Sequence, residues 1–219
     1  MKKIILFDLD GTVTNSLGLI LKTNQKVFAK MGIPWQDDEV MKYIGIPLLE
    51  IGAIFAGADR AVDYVNIYQG LYAIEHDKYM ECYPGATDTI ALAKEKGFIT
   101  GVVTSKSRRG TMLSLNFLNL VSAFDVIITA DDVREHKPKP APVLAALKQT
   151  GTKAEEALFV GDSPFDILAG KAAGVKTVGV TWGMANGKLL EECGPDFMVD
   201  SWDELNAILL DDSLFKQEG

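Results

Sequence analysis

The sequence predicts an α/β fold, a parallel sheet covered by helices on both faces, with a small all-helical body inserted after the first strand. Three observations carry this. Short apolar runs rich in β-branched side chains recur along the chain, helical stretches closed by glycine separate the later runs, and the alternation lapses between Asn15 and about Tyr83.

The first run, Ile4–Phe7, lies between Lys3 and Asp8 and reads as a strand buried on both faces. From Leu17, apolar residues recur at spacings of three and four through Ile20, Leu21, Val27, Phe28 and Met31. Asn24 is the polar exception, and Gly32 stands where a helix C-cap belongs. Gly45, Ile46 and Pro47 form a turn placed to face a crevice, and Leu48, Ile51, Phe55, Val62, Val65 and Tyr68 continue the helical spacing. Tyr83-Pro84-Gly85 is a stiff turn back into the sheet. The division is therefore residues 1–14 plus 84–219 for the sheet domain and 15–83 for the insert. Helices follow at 87–96, 142–149 and 165–173, closed by Gly97, Gly151 and Gly174, with strands at 99–104, 126–129, 157–160 and 175–180. The tail, 211–219, is polar enough to fray.

Composition narrows the function. Of 219 residues 47% are apolar and 24% charged, an ordinary globular balance that excludes disorder as the main state. The net charge of −8 repels polyanions, which argues against nucleic acid and anionic membrane as partners. The longest uncharged stretch, 110–124, is interrupted by Ser114, Asn116 and Asn119 and is too short to span a bilayer. After Lys2 and Lys3 the apolar run stops at Asp8, short of a secretory core, so a cytoplasmic location is expected. Cys82 and Cys193 read as ordinary thiols, His76 and His136 as solvated side chains, and Trp35, Trp182 and Trp202 as packing.

The strand ends carry polar chemistry. The first strand runs into Asp8-Leu9-Asp10-Gly11-Thr12, the next into Thr104-Ser105-Lys106, and the strand at 157–160 into Gly161-Asp162, with Asp166 close behind. Lys137 precedes Pro138 in a loop between them. Taken singly, each has an ordinary reading as a solvated turn, a helix cap or a surface charge. Together they converge, because carboxyl ends of parallel strands share one crevice. Two carboxylates 4 Å apart repel by about 4 kcal/mol at an effective dielectric near 20, so the cluster needs counter-charge. Mg²⁺ suits an all-oxygen set without a His or Cys cluster, and Lys137 supplies a second positive charge.

These motifs resemble the haloacid dehalogenase-like superfamily of phosphotransferases, and the likeness spans essentially the whole chain. It implies a three-layer Rossmann-like core with the insert as a cap domain and Tyr83-Pro84-Gly85 as its return hinge. Asp8 would be the nucleophile and Asp10 the general acid and base. Thr104, with Ser105 beside it, and Lys137 would bind the phosphoryl oxygens. Asp8, the Asp10 backbone carbonyl and Asp162 would hold Mg²⁺, with Asp166 adjusting Asp162 or Lys137 from behind. The run GDSxxDIxAGxxAG at 161–174 is closest to phosphoglycolate phosphatases and their pyrophosphatase and sugar-phosphate relatives, although Asn15 and Ser105 stand where Asp and Asn are usual.

The resemblance thus implies a monomeric or homodimeric, Mg²⁺-dependent phosphatase acting on a small phosphorylated molecule, phosphoglycolate-like, by way of an aspartyl phosphate. Pyrophosphate hydrolysis and a β-phosphoglucomutase-like reaction are the alternatives. Asp10 argues against the dehalogenase and phosphonate-cleaving relatives, which lack that acid. A phosphoacceptor signalling module is more distant, since such modules carry no helical insert and place the acceptor on a later strand, and the intact motif residues argue against a phosphate-binding homologue without turnover. Arg108 and Arg109 either meet an anionic leaving group or are solvated charge at a helix start.

Overall fold

A computed structural model describes residues 2–36, 39–184, 187–211 and 213–215. Its strands are β1 (Ile4–Phe7), β2 (Ile99–Val103), β3 (Val126–Ile128), β4 (Ala157–Gly161), β5 (Lys176–Val180) and β6 (Phe197–Val199). Its helices are α1 (Leu17–Met31), α2 (Leu48–Ala56), α3 (Ala61–Tyr79), α4 (Ala86–Glu95), α5 (Arg108–Phe117), α6 (Ala141–Thr150), α7 (Pro164–Ala173), α8 (Gly187–Glu192) and α9 (Trp202–Leu210).

All six strands run parallel in the order β3-β2-β1-β4-β5-β6. β1 is central, Ile4 lying opposite Ile99 on one side and Ala157 on the other. Its side chains alternate between two cores. Ile5 and Phe7 join Ile90, Leu115 and Leu205, while Ile4 and Leu6 join Val143, Leu147 and Ala169. Burial on both faces is why the strand is a continuous apolar run. The chain runs from β1 outward through β2 to β3 and then crosses back to β4 on the other side of β1, and this reversal opens the crevice above the carboxyl ends.

Between β1 and α4 the helices α1–α3 build a core of their own around Phe28 and Tyr64. Buried Asn24 is satisfied there, its amide donating to the Ile20 carbonyl at 2.9 Å and its oxygen accepting from the Tyr64 hydroxyl. Gly57, at φ 86°, separates α2 from α3. The two connections to the sheet are bonded to each other: Asn15 N–H donates to the Glu81 carbonyl at 2.9 Å, and Tyr83 N–H to the Val13 carbonyl at 3.1 Å. The Asn15 amide also donates to Glu81 Oε1 at 2.8 Å, a bond that an ionised Asp has no proton to make.

Several elements differ from the sequence reading. α5, α8, β6 and α9 add to the expected set. α5 buries mainly Thr111, Ser114 and Leu115, a face too polar to mark an apolar period, and β6 has only three residues. His76 is not solvated: it is fully buried, with Nε2 3.1 Å from Ser114 Oγ and Nδ1 2.7 Å from an Asp77 carboxylate oxygen. His136 is half-buried. The tryptophans pack, Trp35 against Phe28 and Trp182 against Trp202. In the tail Leu214 is buried and the Phe215 ring lies 6.1 Å from that of Phe98, while residues 212 and 216–219 lie outside the described residues. No helix among the described residues is long and apolar enough to cross a membrane.

Candidate active site

Asp8 follows β1 and continues its pairing, its N–H donating to the Val160 carbonyl at 2.8 Å. Gly11, at φ 91°, then turns the chain sharply enough for its N–H to reach the Thr14 carbonyl at 2.8 Å. This turn places Asp8 and Asp10 at one mouth.

Lys137 is the hub. It is 2% exposed, and its Nζ donates to Asp8 Oδ1 at 2.7 Å and to Asp166 Oδ1 at 2.6 Å. Asp166 accepts from Ser163 N–H and Oγ at its other oxygen, a capping box that starts α7. Asp162 accepts from Thr12 Oγ1 at 3.0 Å and from Met184 N–H at 2.7 Å. Glycine is required around it: a Cβ on Gly11 would lie 2.2 Å from Asp162 Oδ2, and one on Gly183 would lie 2.3 Å from the Asp162 Cβ.

Asp8, Asp162 and Asp166 each bring a carboxylate oxygen within 4.8 Å of the others. Burial raises the Asp8 carboxyl well above its usual range, Lys137 opposing this and Asp166 and Asp162 adding to it. Burial likewise pushes Asp162 up to about 7, with Asp166 adding repulsion. Burial alone would lower Lys137, but Asp166 and Asp8 outweigh it and hold its proton more tightly than usual. Lys137 is the single cation bonded within this cluster among the described residues, so a divalent ion fits the excess negative charge. Asp166 gives one oxygen to the Lys137 ammonium and the other to Ser163, whereas Asp162 accepts only from the neutral donors Thr12 and Met184 and Lys137 bonds a single oxygen of Asp8, so Asp8 and Asp162 are the side chains suited to hold Mg²⁺. Asp166 therefore supports Lys137 directly.

Asp10 faces differently. It accepts from Ser16 Oγ at 2.6 Å and from Lys106 Nζ at 2.9 and 3.1 Å. The Asp10 side chain is thus engaged by Ser16 and Lys106. Lys106 also donates to the Tyr72 hydroxyl on α3 at 2.7 Å. Burial opposes the Lys106 charge, and Asp10 and Tyr72 more than restore it. In the sequence Lys106 stands only as the end of Thr104-Ser105-Lys106, and Ser163 only within GDSxxD, whose S-x-x-D spacing is a capping-box signature, while no local motif ties Ser16 or Tyr72 to Asp10.

Thr104 is buried and its Oγ1 accepts from Lys106 N–H at 3.2 Å, while the buried Ser105 Oγ has no partner among the described residues. Both line a cavity of about 600 Å³ between the helical insert and the sheet, together with Asp8, Asp10, Asp162 and Arg109. Arg108 does not join them, because its guanidinium bonds Asp132 at 2.6 Å and the Ile127 carbonyl at 3.2 Å.

The haloacid dehalogenase-like hydrolase family model matches residues 5–180. The pyrophosphatase PpaX of Bacillus pumilus is 36% identical over 207 residues, which is 94% of this chain and 95% of that protein. The crystal structure of a predicted phosphatase from Clostridium acetobutylicum superposes with a TM-score of 0.86 at 25% identity, covering 96% of this chain and 99% of that one. A predicted phosphoglycolate phosphatase from Haemophilus somnus superposes at 0.81 and 26% identity, covering 94% and 97%. Sheet order, acidic crevice and relatives together define the class, an α/β phosphatase. The chain belongs to the haloacid dehalogenase-like hydrolases.

Proposed function

We propose that the chain is a Mg²⁺-dependent phosphatase that cleaves a small organic phosphomonoester through an aspartyl phosphate on Asp8, residues 15–83 acting as a cap over a core of 1–14 and 84–219. The observation that carries this is the Lys137 ammonium 2.7 Å from Asp8 and 2.6 Å from Asp166, beside a third buried carboxylate, Asp162. When bound, Mg²⁺ would supply charge neutralisation that lets an anionic nucleophile approach an anionic phosphate.

Lys137 fixes one Asp8 oxygen, so the other attacks phosphorus. The Thr104 and Ser105 hydroxyls donate to phosphoryl oxygens, an assignment that gives the orphaned Ser105 Oγ a partner. As the Asp8–phosphorus bond forms and the ester bond breaks, Asp10 delivers its proton to the departing oxygen. Water then attacks phosphorus, Asp10 takes a proton from it, and the Asp8–phosphorus bond breaks to release inorganic phosphate. Ser16 and Lys106 orient Asp10 for both steps.

Pyrophosphate is the second reading, supported by the name of the Bacillus pumilus relative. The test is kcat/KM with Mg²⁺ over phosphoglycolate, sugar phosphates, a nucleotide and pyrophosphate, with an aryl phosphate as reference. Asp8→Asn is expected to lower turnover of the reference by roughly 10⁴-fold or more. Full activity in that variant overturns the reading. Isomerisation of β-glucose 1-phosphate with the aryl ester inert would replace the phosphatase by a mutase.

A further inference from the structure

The cavity above Asp8 has walls of two kinds. The core side carries Asp8, Asp10, Asp131 and Asp162 against the cations Lys106 and Arg109, and Lys106 is already held by Asp10. The wall contributed by the insert has no acidic or basic side chain among the described residues. Ile46, Leu49, Val62, Val65 and Tyr68 form much of it, and Leu113 of α5 faces the same space. Three of these are open to a ligand: Val62 is 61% exposed, Leu49 51% and Leu113 38%.

A second anionic group, such as the outer phosphate of pyrophosphate or the carboxylate of a phosphorylated acid, would leave water for a wall that offers no counter-charge. Hydrocarbon in the same place removes apolar surface from water on both sides. We propose that the leaving group is an uncharged, largely apolar alcohol, so that the preferred substrates are monoesters of hydrophobic alcohols. This rests on the phosphatase reading and names the substrate class within it.

The experiment is a homologous series, ethyl, butyl and hexyl phosphate, assayed with Mg²⁺ beside phosphoglycolate and pyrophosphate. Alkanols of this series have nearly the same acidity, so leaving-group chemistry is constant and only burial changes. The expected result is a rise in kcat/KM of roughly two- to fourfold per methylene, with hexyl phosphate at least about tenfold above both competitors that carry a second anionic group. Val62→Asp and Leu113→Asp, changes at exposed positions, should lower kcat/KM for hexyl phosphate by roughly tenfold and for ethyl phosphate by less.

A flat series, a preference for pyrophosphate or phosphoglycolate, or equal losses on both esters in the variants would overturn the apolar leaving group while leaving hydrolysis through Asp8 intact. Failure to hydrolyse any ester or pyrophosphate would overturn the phosphatase reading and this inference with it.

Discussion

Lys137 shows how much one side chain can hold. Its ammonium bonds two of three buried carboxylates, so Lys137→Met leaves like charges facing one another without water. The expected cost is about 3–5 kcal/mol, seen as a Tm lower by roughly 10 °C without metal, and lowering the pH to 5 should recover part of it by protonating the cluster. An unchanged Tm would refute the role given to this lysine. The carboxylates set a pH dependence of their own. Burial raises Asp8 and pushes Asp162 up to about 7, whereas in the unfolded chain both release their protons near 4. Between those values the folded protein binds more protons, so the metal-free protein loses stability as pH rises. Mg²⁺, which needs the ionised groups, binds more tightly over the same rise. Melting curves from pH 5 to 8 should show Tm falling in chelator, and Mg²⁺ at a hundred times its Kd should add about 2.7 kcal/mol at pH 8. A Tm in chelator that climbs with pH would contradict this.

Among the elements, those that bury two faces or a clear stripe could be read in the sequence. β1 reads as an unbroken apolar run, and α1 shows its period and its Gly32 cap. α5 hides because threonine and serine fill its buried face, and β6 because three residues make no pattern. The motif loops were legible as residue types, yet their partners were not. Nothing local ties Lys106 to Tyr72, Thr12 to Asp162, or Ser16 to Asp10. Those pairs exist because a parallel sheet and its insert bring distant segments to one end. The turn after β1 is the element most exposed to test. Gly11→Ala introduces a side chain at a left-handed φ and 2.2 Å from an Asp162 oxygen. Titration calorimetry should show Mg²⁺ affinity lowered by roughly 10–100-fold, and wild-type affinity would contradict the packing described.

At the scale of the whole molecule, helical body and sheet meet through buried polar contacts as well as through apolar ones. Lys106 reaches across to the Tyr72 hydroxyl, and His76 across to Ser114 of α5, so α3 is bonded to the sheet domain at two places one helical turn apart. Tyr72→Phe keeps the ring and removes one of these. Hydrogen exchange of α3 amides should quicken by roughly fivefold, the equivalent of about 1 kcal/mol, while β1 and β4 amides stay as slow as before. Equal acceleration in both regions would mean that the contact stabilises the fold globally instead of docking one body on the other. The parallel sheet covered on both faces was legible in the alternation of strand and helix, whereas the three-layer Rossmann-like arrangement came from the family resemblance.

The paired crossing at Asn15 and Glu81 has one more implication. Outgoing and returning strands are laced together by backbone bonds, so the helices are attached to the sheet as if by a single stalk. A graft must match that junction and reproduce the contacts that Tyr72 and His76 make with Lys106 and Ser114. Whole helical modules can then be exchanged between members of the family while the strand that carries Asp8 stays untouched, which makes new selectivity obtainable by transplantation instead of by point-by-point redesign.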